Sequence, residues 1–155
     1  MAFEFDFISA TDKPALLAIS SLEWQVRALA ALDSLGYKVH VAQGTDDFSN
    51  RFTQFAYQVV IIEELFDCAE FKDNRGLQFV QTLPMILRRH ATVFLLGDSF
   101  QSLHPMLAFQ QSVHAVVHSN DFENLDKIIQ KTVADNDLFL TAYRHVQEHI
   151  AKGKA

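Results

Sequence analysis

Two histidine pairs, one cysteine and a serine doublet are the first residues in this chain whose types and spacing suggest chemistry. His145 and His149 stand four apart, as do His114 and His118. Metal ligation needs converging side chains, usually with a third donor from Cys, His or a carboxylate. On a helix, a pair four apart shares one face, and a solvated face is its ordinary use. Around a strand end the same spacing does not converge, because side chains there alternate with period two. Cys68 paired with a distant histidine would suggest a thiol nucleophile, but no local signature accompanies it. Ser20-Ser21 lies where a helix begins, so it either offers hydrogen bonds to a ligand there or caps the helix. Neither a glycine-rich dinucleotide turn nor a phosphate-loop sequence is present, and five glycines give a backbone cradle little to build on.

The frame that must hold these groups is that of a globular domain. At 155 residues the length suits one domain, and 49% hydrophobic against 21% charged residues is enough apolar mass for a core. The net charge of −6 argues against nucleic acid as the main partner. One cysteine excludes a disulfide framework and a multi-cysteine metal site. No apolar run reaches the roughly 18 residues of a membrane span, and no basic-then-apolar leader opens the chain. These features predict a cytoplasmic protein that does not bind membranes.

Strand-length apolar runs alternate with helical periodicity. Ala15–Ile19, Tyr37–Ala42, Val59–Ile62, Thr92–Leu96 and Val113–Val117 read as five strands. Between them, Leu22–Leu35 is an amphipathic helix stopped by Gly36, and Asp46-Asp47 is expected to cap a helix carrying Phe48, Phe52 and Phe55. Gly76 opens a helix that Pro84 should kink or break, and Pro105 sits in the first turn of a weaker helix ending near Gln111. A strong helical pattern starts at Phe122. This alternation predicts an α/β fold, a parallel sheet with helices on both faces. Phe3–Phe7 alternates at period two, as an edge strand or an arm on a neighbouring subunit would. Leu125–Val133 and Leu138–Ile150 form two apolar stripes separated by Asp135-Asn136-Asp137, expected as a last core helix, a bend and an additional C-terminal helix, with one unbroken helix as the alternative. The apolar residues at both ends, Phe3, Phe5, Phe7, Phe139 and Tyr143, point either to self-association or docking to another protein, or to packing of the tail on the edge of the chain's own sheet.

From Pro14 to Ala134 these segments resemble, in order, the receiver domain of two-component response regulators. Arg27 through Leu35-Gly36-Tyr37-Lys38-Val39 resembles that family's first helix and second strand. Tyr57–Glu63 resembles its third strand, which ends in the phosphate-accepting Asp. Gly76-Leu77 resembles the opening of the third helix, and Val93–Asp98, Ala108 and Ser112–Val117 keep the spacing from fourth strand to fifth. The resemblance implies a flavodoxin-like five-stranded sheet of order 2-1-3-4-5 over residues 14–134. Residues 1–13 would then be an N-terminal arm or edge strand, and 135–155 a C-terminal helical extension.

The family's catalytic set is not matched. Its magnesium-binding acidic pair falls on Ser20 and Ser21, its acceptor Asp on Glu63, and its hydroxyl switch on Gly97. Its aromatic switch falls on Val116, and its lysine on Ser119, or on His118 one residue earlier. The resemblance therefore implies a pseudo-receiver that carries out no phosphorelay chemistry, needs no cofactor or metal, and is not an enzyme. It would signal or scaffold by contact with a protein partner, a second copy of the chain included, through the fourth helix, fifth strand and last core helix. Glu63 either partly imitates an aspartyl phosphate or is a strand-end carboxylate that meets water. The competing expectation is a small-molecule-binding or catalytic Rossmann-like domain that reuses the strand-end pocket. A phosphorylated receiver of unconventional residues would have only Glu63, Glu64 and Asp98. The long loop Glu64–Arg75 is expected to fill the pocket with Phe66 or Phe71, or to meet a partner.

Overall fold

In the computed structural model, which describes residues 8–153, five short strands lie side by side and run the same way. They are β1 (Pro14–Ala18), β2 (Lys38–Val41), β3 (Val59–Glu63), β4 (Thr92–Leu96) and β5 (Ala115–Val117). The order is β2-β1-β3-β4-β5, every pairing is parallel, and the register sets Leu17 beside Ile61 and Ile61 beside Phe94. Each strand of the central trio is buried along its whole length, which is why its sequence shows no polar alternation. Alternate side chains still choose opposite faces. Leu16, Val60, Ile62, Val93 and Leu95 meet one helical layer, and Leu17, Val59, Ile61, Phe94 and Leu96 meet the other.

Among the described residues six α-helices flank the sheet: α1 (Leu22–Ser34), α2 (Thr45–Gln54), α3 (Arg75–Thr82), α4 (Met85–Arg88), α5 (Pro105–Gln111) and α6 (Leu125–Ala151). The core on the α1 and α6 side is built on Ala28, Leu32, Leu125 and Ile129. The core on the α2, α3 and α5 side is aromatic: Phe48 lies about 6 Å, ring to ring, from Phe52, Phe66 and Phe79. Gly36 takes φ +84° after α1, a conformation that costs glycine little and ends the helix. Pro84 breaks the third helical segment as expected. Leu83 before it is extended, and a separate turn, α4, follows.

Two expectations are corrected. Asp46 and Asp47 lie inside the first turn of α2, whose N-cap is Gly44. Asp47 instead accepts from the Gln43 amide and pairs with Arg51 one turn on. The C-terminal helical segment is present, but no bend separates it from the core helix, so the unbroken alternative holds. The polar triplet is compatible with helix because two of its side chains are otherwise engaged. Asp135 pairs with Lys131 at 2.8 Å, and the Asn136 amide donates to the Thr92 hydroxyl at 3.2 Å. The Phe3–Phe7 segment lies outside the described residues.

Arg88 locks the edge of the sheet opposite the strand ends. It is buried, and its guanidinium donates to the carbonyls of Val80 and Ser112, joining α3 to the α5–β5 turn. Arg88→Met should leave both carbonyls without this donor and lower unfolding free energy by about 2 kcal/mol, read from urea titration.

Candidate functional site

The carboxyl ends of the strands carry five loops, and each is tied down by a side-chain carboxylate or amide. Glu63 ends β3 and is nearly buried. One of its oxygens accepts from the backbone N–H groups of Ser20 and Ser21 at 2.8 and 3.0 Å, in the loop between β1 and α1. Ser21 is the N-cap of α1, its hydroxyl accepting from the Trp24 amide. The carboxylate thus sits at the positive end of a 13-residue helix, where backbone N–H groups favour an anion.

Glu64 goes the other way. One oxygen accepts from the Asp98 and Ser99 amides at 3.0 and 3.3 Å, in the loop after β4. The carboxylate lies over Gly97: a Cβ there would stand 2.6 Å from the Glu64 carboxyl carbon. Gly97 is therefore small because Glu64 fills the space a side chain would take. Among the described residues neither glutamate forms an ion pair, so backbone amides are the hydrogen-bonding partners of both charges.

Three more groups complete the stapling. The Asn74 side chain donates to the carbonyls of Glu63 and Glu64 and accepts from the Leu77 amide, capping α3. Asp67, at φ +53°, accepts from the amide and hydroxyl of Thr45, while its own amide donates to the Ser20 hydroxyl. These bonds hold the Asp67 carboxyl below the usual carboxylate range, the Thr45 amide contributing most. Asp98 accepts from the Ser119 hydroxyl and amide, and its carboxylate is 3.7 Å from the His118 ring.

The residues singled out in the sequence thus gather at one edge, with one exception. Ser20, Ser21 and Glu63 are directly bonded, Gly97 lies under Glu64, and Ser119 and His118 meet at Asp98. Val116 is wholly buried within β5 in the aromatic-side core. The reading of Glu63 as a carboxylate that meets water is corrected: it is buried against the β1–α1 loop. Phe66 and Phe71 pack in the apolar layer, Phe66 on Phe48 and Phe71 on Phe100, and the space over Gly97 goes to Glu64. Asn74 and Asp67 were not foreseen; the Asn immediately before a helix start was the available sign for the first.

Other candidate chemistry finds no support in the geometry. Burial, and then the nearby charges of Asp73, Asp67 and Glu63, push the Cys68 thiol up, which opposes a thiolate nucleophile. His114 turns its ring to the Val93 amide, and the His118 ring accepts from the Asn120 amide, so the two do not converge. Among the described residues no group of three or more His, Cys, Asp or Glu is placed to hold a metal ion.

No family model matches the sequence, and no curated protein matches it. Solved structures do. A response regulator from Thermotoga maritima superposes with a TM-score of 0.62 at 10% identity, over 79% of this chain and 98% of that one. A protein from Vibrio parahaemolyticus described as the signal receiver domain of a Luxo repressor gives 0.63 at 10% identity, covering 84% and 97%. A protein from Burkholderia pseudomallei described as pilus assembly-related gives 0.59 at 16% identity, covering 83% and 95%. At such identities the likeness is one of fold. The chain has the five-stranded receiver-like architecture, and its last helix, α6, runs for 27 residues.

Two outcomes follow for the stapled edge. Gly97→Ala should displace the Glu64 carboxylate from its two amides and cost about 1–2 kcal/mol. In a double-mutant cycle with Glu64→Ala the two losses should fall clearly short of additive, because the second removes what the first displaces. Asp67, with its folded pKa lowered, contributes stability that is complete above the unfolded carboxylate value and is lost as pH falls through the folded one. The urea midpoint of Asp67→Asn should therefore decline less than that of the parent between about pH 5 and pH 3.

Proposed function

We propose that this chain is a receiver-like signalling module that takes no phosphoryl group and works by protein–protein contact in the cytoplasm. The reading is carried by one observation: Glu63 Oε1 lies 2.8 and 3.0 Å from the Ser20 and Ser21 amides. By the sequence resemblance, Glu63 stands where the acceptor Asp would be, and Ser20 and Ser21 where the magnesium ligands would be. Phosphoryl transfer to a carboxylate depends on a metal and a cation to offset charge in the transition state. Here the carboxylate itself spans the gap between β3 and the β1–α1 loop. A second carboxylate, Glu64, spans the gap to the β4 loop, where the hydroxyl switch would stand on Gly97. Ser119 takes the lysine's place and is bonded to Asp98. Ser20, Ser21, Gly97, Val116 and Ser119 are then remnants of a site whose loop-tying role has passed to internal anions.

In this reading residues 14–134 are the module and 135–155 its extension. Glu63 reproduces the tie that a phosphoryl group and its metal would make, which holds the loops in one arrangement. The partner surface is the groove between α5 and α6, a cavity of about 540 Å³ lined by Leu103, His104, Ala108, Lys127, Ile128 and Lys131. Incubation with a small phosphodonor and Mg²⁺ should leave the intact mass unchanged, and Mg²⁺ alone should leave the thermal midpoint unchanged. A stable single phosphoryl adduct on Glu63 or Glu64 would overturn the proposal. Marked thermal stabilisation by a nucleotide or metabolite would instead support a ligand-binding domain.

A further inference from the structure

β4 and β5 begin side by side at the end of the sheet away from Glu63, and there the His114 amide donates to the Val93 carbonyl at 2.8 Å. In a continued parallel ladder the Val93 amide would in return donate to the Ser112 carbonyl. Ser112, at φ +56°, gives that carbonyl to Arg88 instead. The side chain of His114 fills the place: its Nδ1 accepts from the Val93 amide at 2.9 Å. Val93 is wholly buried, so a backbone amide of the central sheet depends on an imidazole nitrogen for its acceptor.

The tautomer follows from this bond. A neutral imidazole that accepts at Nδ1 carries its proton on Nε2, and the Asn136 side chain also bonds the ring. Asn136 gives its amide hydrogen to the Thr92 hydroxyl at 3.2 Å, which leaves its oxygen as the acceptor for the ring. One histidine thus joins β4, β5 and α6.

We infer that His114 is a proton-operated latch: neutral, it closes the start of β5 onto β4 and holds α6 at Asn136, and protonated, it opens that junction. An imidazolium has two donors and no acceptor, so N–H would face N–H at Val93. The outer edge of the ring is open to the groove between α5 and α6, where a proton reaches it and where it has room to turn. Its surroundings oppose the charge. Arg88 faces it from α4, and His104 before α5 and Lys127 and Lys131 on α6 share its groove. Asp135, the carboxylate in that lining, is paired with Lys131 at 2.8 Å. Loss of water around the ring, and then the Arg88 charge, hold its pKa below the ordinary histidine value despite the Asn136 bond. The stability conferred by the neutral ring is therefore full above that ordinary value, about 6.5, and is lost as pH falls through the lowered one. The latch goes beyond the proposed function and does not rest on it, since neither a phosphoryl group nor a partner enters.

The test is residue-resolved amide exchange of the full chain at about pH 7.5 and about pH 5.5, each rate taken relative to its intrinsic rate. Protection should fall several-fold at Val93 and around Asn136 at the lower pH, while the amides of α1 keep theirs. His114→Asn places a side-chain oxygen where Nδ1 stood and does not titrate, so it should abolish the difference. His90→Asn, at a second ring held low by burial, should preserve it. A proton NMR titration of the parent chain gives an independent readout, in which the His114 ring should titrate below about 6.5. Should His114→Asn fail to fold, the exchange and titration of the parent decide. Equal protection at Val93 and Asn136 at both pH values, a difference that survives His114→Asn, or a ring titrating at or above the ordinary value would overturn the latch.

Discussion

A buried carboxylate needs hydrogen-bond donors, and the strand-end edge of this protein is organised around that need. Glu63 finds its donors in the loop preceding α1, so the carboxylate, the two amides and the helix dipole satisfy one another. Hydrogen bonds to a charged group contribute about 1.5–3 kcal/mol each. Losing the two amides would leave the buried Glu63 carboxylate without its donors.

The same device recurs around the edge. Glu64 holds the β4 loop, Asp67 the β2–α2 loop, Asp98 the start of the turn after β5, and Asn74 the strand end of β3 itself. Their combined effect exceeds what any one bond suggests, because each carries a loop that another staple also touches. Ser20 illustrates this: its amide goes to Glu63 and its hydroxyl takes the Asp67 amide. The strand-end edge closes on itself through its own side chains.

How much of this could be read in advance divides along physical lines. The sheet was legible because strands such as Val59–Ile62 and Thr92–Leu96 are buried on both faces and must be apolar throughout. Pro84 and Gly36 mark boundaries because their backbone preferences act locally. Side-chain direction was not legible. Nothing in the doublet Glu63-Glu64 says that one carboxylate turns to β1 and the other to β4, and Gly97 reads as an omission until Glu64 is seen above it. The continuity of α6 was hidden for a related reason. Asp135-Asn136-Asp137 disfavours helix by local preference, and Lys131 and Thr92, brought near by the helix and the fold, engage its first two side chains.

The unbroken course of α6 also has a mechanical consequence. At 27 residues it is about 40 Å long, with one half clamped in the core and the other cantilevered. A tilt of about 5° where the helix leaves the core, near Leu140, moves the tip near Ile150 by roughly 1 Å, so a small repacking at the clamped half is carried to the free end. A hinge at residue 136 would have dissipated that motion; a stiff rod gears it up.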